Sequence, residues 1–88
     1  MNTELYQRLA LEFYNDDHRH CSNLESGLLE ETHEVIEAIK TGTRQEYLDE
    51  LADVLWYITI MADCEGSSLK GLMERNYDKL EKRALNGK

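Results

Sequence analysis

Two pairs of carboxylates flank the segment Lys40-Thr41-Gly42: Glu31 and Glu34 before it, Glu50 and Asp53 after it. Each pair has three-residue spacing, which on a helix places both members on one face about a turn apart. A helix that stops at a glycine and is followed closely by another normally returns antiparallel beside it. On such a hairpin the two pairs converge. Converging ionised carboxylates in a helical core are very costly unless positive charge is supplied. The spacing therefore asks of any fold that the carboxylates be paired, metal-bound or protonated at this point.

The rest of the chain supports a helical reading. Its 88 residues lack proline and are rich in Leu, Glu, Ala and Lys, which favours an all-α domain spanning 1–88. A first helix is predicted over 3–14, with Thr3 as candidate cap and Leu5, Leu9 and Phe13 as its apolar stripe. The following NDDHRHC reads as a solvated loop. His18, His20 and Cys21 lie close together in it, but no second ligand cluster accompanies them. A second helix is predicted over 24–40, with Ser22 and Glu25 as a capping box and Gly42 free to turn left-handed at its end. Thr43 and Glu46 form another capping box, opening a third helix that runs to about residue 65. Gly66 breaks that helix, either Ser67 or Ser68 can cap the fourth, and the fourth extends over 69–84.

On a helical wheel, Leu24, Leu28, Val35, Ala38 and Ile39 form one arc of the second helix. Glu31 falls within that arc and Glu34 at its edge, while Glu30 and Glu37 lie further out. A carboxylate inside an apolar stripe is a local inconsistency of the kind found at functional sites. The third helix is apolar nearly all round from Leu51 to Cys64. Such a helix needs cover on most sides, which three short partners supply poorly, so a second copy of the chain is expected against it. Asp53 is expected to be buried there beside Tyr57 and Ile60. The fourth helix places Asn76, Lys79 and Arg83 in or beside its stripe of Leu69, Leu72 and Leu80. Such a row of donors suits phosphate oxygens.

The net charge of −8 argues against a nucleic-acid-binding module. No window is apolar enough to span a membrane, and the N-terminal MNTELYQR has no run suggesting a signal peptide. Cys21 and Cys64 fit no zinc spacing; a cytoplasmic setting with both thiols free is expected. A ligand set of carboxylates alone selects hard cations, Mg²⁺ above all, with Mn²⁺ also suitable. Mg²⁺ shares its shell with substrate phosphates, and paired ions promote in-line displacement at phosphorus. Glu30 and Glu34 are candidates to orient or deprotonate the water. The pattern thus points to Mg²⁺-dependent cleavage of a phosphoanhydride. Two other readings are a dimeric helical module that binds a nucleotide or protein partner without turnover, and a di-iron bundle. The second would use Glu30-x-x-His33, but His33 falls away from the apolar arc.

Gly27-Leu28-Leu29-Glu30-Glu31-Thr32-His33-Glu34-Val35 and Asp49-Glu50-Leu51-Ala52-Asp53-Val54-Leu55-Trp56-Tyr57 resemble the MazG-type nucleotide pyrophosphohydrolases, of the all-α NTP pyrophosphatase superfamily. That family carries E-E-x-x-E on one helix and E-x-x-D on the next. A later N-x-x-K with a further basic residue is a common companion, matched here by Asn76-Tyr77-Asp78-Lys79 and Arg83. The resemblance covers 24–83. It implies an antiparallel helical bundle, completed as four-helix bundles across a homodimer or dimer of dimers. It implies Glu31, Glu34, Glu50 and Asp53 as Mg²⁺ ligands, Glu30 as an aid to water activation, and Asn76, Lys79 and Arg83 as contacts to the nucleotide or its phosphates. The implied reaction converts an NTP or dNTP to the monophosphate and pyrophosphate by attack of water at the α-phosphorus. Residues 15–22 match no motif, and base and sugar preference are left open.

Overall fold

The computed structural model describes residues 1–14 and 21–87, and the described residues form four helices and no strand. They are α1 (Thr3–Tyr14), α2 (Leu24–Thr41), α3 (Arg44–Cys64) and α4 (Leu69–Leu85). His18 and His20 lie outside the described residues. No helix among the described residues is long and apolar enough to cross a membrane.

The caps at the start of the chain differ from the sequence expectation. Asn2, rather than Thr3, caps α1: the backbone N–H of Leu5 donates to Asn2 Oδ1 at 2.8 Å. The capping box expected from Ser22 and Glu25 does not form. The chain reaches α2 through left-handed Cys21 (φ 57°) and Asn23 (φ 60°), which puts Asn23 at the N-cap with no side-chain hydrogen bond. At the other end of α2, Gly42 is extended rather than left-handed, with φ −90° and ψ 170°. Its N–H donates to Ala38 O at 2.9 Å. Glycine is required there by close approach, since a Cβ would lie 2.9 Å from Ala38 O and 3.0 Å from Ala38 Cα.

The predicted box at α3 is present in full. Glu46 N–H donates to Thr43 Oγ1 at 3.1 Å, and Thr43 N–H donates to Glu46 Oε1 at 2.8 Å. Gly66 takes the left-handed conformation (φ 74°) after α3, and Ser68 caps α4 by accepting from Gly71 N–H at 2.9 Å.

The core sits where α1, α2 and α3 meet. Tyr14, Leu24 and Ile60 are buried, with Leu11, Trp56, Tyr57, Met61 and Cys64 packed around them. Trp56 stands edge-on to Tyr14 at 6.3 Å and to Tyr57 at 5.2 Å. Its indole Nε1–H donates to Ala10 O at 3.0 Å and so fixes α1 on α3. Gln7 fastens the other end of α1: its amide donates to Asp63 Oδ1 at 3.2 Å, and Leu69 N–H donates to its Oε1 at 2.9 Å. These contacts use a face of α1 different from the expected stripe. Ala10 and Tyr14 are buried, whereas Leu9 and especially Phe13, 78% exposed, face outward.

The thiols are not free. Cys21 and Cys64 are joined in a disulfide across 43 residues of sequence, their Cα atoms 6.0 Å apart. The packing of Leu24 and Ile60 in one core brings the start of α2 to the end of α3, placing the two cysteines within bridging range. Closing a loop of this length restricts the unfolded chain enough to contribute on the order of 4 kcal/mol.

The radius of gyration is 15.0 Å, against about 12 Å for a compact chain of this length. The excess reflects uncovered helix. Leu48, Leu51 and Leu55 of α3 are each about two-fifths exposed, and Ile39 of α2 is 64% exposed. From Met73 onward every described residue of α4 is exposed.

Candidate cation site between α2 and α3

The hairpin turn at Gly42-Thr43 sets α2 and α3 side by side, and their registers bring the two carboxylate pairs to the same level. One carboxylate oxygen from each of Glu31, Glu50 and Asp53 lies within 4.8 Å of the others. Glu31 and Glu50 are half-buried; Asp53 and Glu34 are exposed. The exposure of Asp53 departs from the burial expected for it beside Tyr57 and Ile60. Glu34 acts on the cluster through its charge, which bears on both Glu31 and Glu50.

Partial burial holds the Glu31 carboxyl above the usual glutamate range, reinforced by the charges of Glu34 and Asp53, a hydrogen bond with Asp53, and the charge of Glu30. Glu50 is also pushed up, first by desolvation, then by its hydrogen bond and charge contact with Glu34 and by the charges of Asp53 and Glu31. Burial and mutual repulsion thus both favour the protonated form of Glu31 and Glu50. Glu31 Oε1 and Glu50 Oε1 are buried and have no hydrogen-bond partner. Buried polar oxygens are ordinarily satisfied, and two unpartnered ones on residues of a carboxylate cluster are what a hard cation would satisfy. The donor set therefore fits Mg²⁺ or Mn²⁺.

Tyr57 and Gly27 belong to the same neighbourhood. A Cβ on Gly27 would overlap the outer end of the Tyr57 ring, so the glycine lets the ring lie directly on α2. The Tyr57 hydroxyl is raised from its ordinary value by burial and then by the charges of Glu31, Glu30, Tyr14 and Asp53. Toward the hairpin turn the site continues into a groove of about 390 Å³ lined by Glu34, Glu37, Thr41, Glu46 and Glu50, among others. His33 points elsewhere: it is exposed and lies 3.8 Å from Glu37 on the outer face of α2, as its wheel position predicts.

Asn76, Lys79 and Arg83 are in the exposed part of α4. That helix packs on α1 and α3 but not on α2, so the single chain does not bring the donor row onto the Glu31 side of the cluster. Glu30 is exposed at the rim, near enough to act on the charges of Glu31 and Tyr57.

The model of the MazG nucleotide pyrophosphohydrolase domain matches residues 19–87, well over half of the chain. The chain belongs to the MazG family. No curated protein and no solved structure matches it. Membership of the MazG family makes this a domain of nucleotide pyrophosphohydrolase type, and the carboxylate cluster lies inside the matched region. The convergence of Glu31, Glu50 and Asp53 follows from their spacing, whereas the part played by Gly27 does not. The available signal was a glycine within the α2 apolar arc, opposite an aromatic-rich stretch of α3, where only a close approach justifies its cost in helix stability.

Proposed function

We propose that this MazG domain hydrolyses nucleoside triphosphates, NTP or dNTP, to the monophosphate and pyrophosphate with Mg²⁺ or Mn²⁺ as cofactor. The observation that carries the reading is the convergence of Glu31, Glu50 and Asp53, with two buried, unpartnered oxygens among them, in a chain of this family. Glu31, Glu34, Glu50 and Asp53 hold the cation. The bound cation supplies charge for the phosphate oxygens and lowers the pKa of a water. Glu30, at the rim, orients the attacking water and accepts its proton as it adds to the α-phosphorus. Asn76, Lys79 and Arg83 neutralise the rest of the polyphosphate.

The working unit is a homo-oligomer. The uncovered apolar residues of α2 and α3 and the extended shape support this, as does a donor row that the single chain leaves in solvent. A second copy packed on α3 would bury Leu51 and Leu55 and exclude water from the Asp53 side of the site.

The deciding experiment is a panel of NTPs and dNTPs with pyrophosphate detection, in Mg²⁺, in Mn²⁺ and in chelator, on the natural chain and on Glu50→Gln. Cation-dependent pyrophosphate release that Glu50→Gln abolishes is the expected result. Cation binding with no product from any nucleotide would instead support a module that binds without turnover.

A further inference from the structure

The hairpin that carries all four carboxylates is closed at both ends, by different means. At one end the Gly42-Thr43 turn is fixed by the Thr43/Glu46 box. At the other, the covalent link from Cys21 to Cys64 ties the residues before α2 to the last residue of α3. Beside this link, Leu24 packs on Ile60 in the core, while the backbone that enters α2 is weakly fixed. Asn23 gives α2 no side-chain cap, and both Cys21 and Asn23 have positive φ, which asparagine adopts readily and cysteine at a cost. Leu24 alone among the first residues of α2 is buried. The segment that depends on this clasp leads directly to Gly27, against Tyr57, and to Glu30 and Glu31.

We propose that Cys21 and Cys64 form a reversible thiol–disulfide switch that clasps the open end of the α2–α3 hairpin and so sets the order of the first turns of α2. The chemistry is a two-electron exchange with a dithiol reductant. One thiolate of the reductant attacks the sulfur of Cys21, the exposed member of the pair, while Cys64 is half-buried. The Cys21–Cys64 bond breaks, Cys64 leaves as a thiolate and is protonated. The second thiol of the reductant then attacks the mixed disulfide and releases Cys21. The reductant ends as a disulfide, and its two protons end on the two cysteines. In the reduced chain the left-handed approach to α2 relaxes and the first turns of the helix loosen. Glu31 is then held less firmly against Glu50 and Asp53. This last consequence rests on the cation-site reading above; the clasp itself does not.

The test uses the full chain, equilibrated in dithiothreitol or in glutathione disulfide, with thiols counted by alkylation and mass. Hydrogen exchange across residues 24–31 and Mn²⁺ affinity by calorimetry are then read in both states, and in the Cys21→Ser/Cys64→Ser double variant. The expected result is interconversion without unfolding and a loss of protection over 24–31 of about tenfold or more on reduction. Protection near Thr43 should be unchanged. Mn²⁺ affinity should fall on the order of tenfold in the reduced chain and the double variant. Equal exchange over 24–31 in the two states overturns the switch, as does failure of the reduced, folded chain to re-form the bond in glutathione disulfide. If neither state binds Mn²⁺, the cation-site reading fails, and the exchange measurement still decides the clasp. Should the double variant fail to fold, the reduced natural chain supplies the same comparison.

Discussion

Gly27 of α2 and Tyr57 of α3 are matched as hole and knob: the outer end of the tyrosine ring occupies the space that a Cβ at position 27 would need. Trp56 also stands edge-on to this ring, at 5.2 Å.

Gly27→Ala is therefore expected to destabilise the chain, although alanine is the better helix former by about 1 kcal/mol. Overpacking of this kind costs about 1–3 kcal/mol. The net effect should be a loss of about 1 kcal/mol, visible as a lower thermal midpoint. Combining Gly27→Ala with Tyr57→Leu should recover part of that loss, and a simple sum of the two single effects would contradict the close approach.

Asp53 meets Glu31 and Glu50 in solvent-accessible surroundings, so its charge opposes theirs. Asp53→Ala is expected to raise the stability of the cation-free chain by about 0.5–1 kcal/mol, the scale of exposed charge contacts. The same substitution should abolish stabilisation by Mg²⁺. Melting curves with Mg²⁺ and with chelator check both halves. A less stable cation-free variant would count against clustering of these carboxylates.

The raised acidities of Glu31 and Glu50 carry a pH dependence of definite sign. An acid whose pKa is higher in the folded chain binds its proton more tightly there, so protonation favours folding. That contribution is fully present below the ordinary glutamate value of about 4.3 and is lost as pH rises through the raised values. The cation-free chain should thus lose this part of its stability on going from about pH 4 to pH 8, whereas saturating Mg²⁺ should cancel the loss. Differential scanning calorimetry across that range, with Glu31→Gln/Glu50→Gln as the chain lacking the effect, measures it directly.

The side chains of Thr43 and Glu46 each accept from the other's backbone N–H at the turn that aligns the carboxylate pairs. Thr43→Ala should cost about 1 kcal/mol. Thr43→Ser should restore most of it, and urea titration of the three chains gives the comparison.

The parts of this molecule that were legible in its sequence are those fixed by neighbours along the chain. The Thr43/Glu46 box, the break at Gly66 and the convergence of Glu31, Glu50 and Asp53 all follow from spacing on helices, and all are present. The misreadings concern contacts between distant segments. The buried face of α1 is set by Trp56 and Gln7, which reach Ala10 O and the start of α4 across the fold; the helix's own pattern favoured Leu5, Leu9 and Phe13. The disulfide was hidden because the spacing of two cysteines says nothing of whether the fold brings them within 6.0 Å. Whether Asn76, Lys79 and Arg83 face inward depends on what packs against α4, which periodicity alone does not specify.

The backbone from Cys21 to Cys64, closed by its sulfur bridge, is a covalent ring, and all four carboxylates lie on it. A single cut anywhere on that ring, even at the exposed turn around Gly42, leaves the Glu31/Glu34 segment and the Glu50/Asp53 segment within one molecule. In its oxidised form the chain can therefore be nicked by a protease without the two halves of its acidic centre diffusing apart.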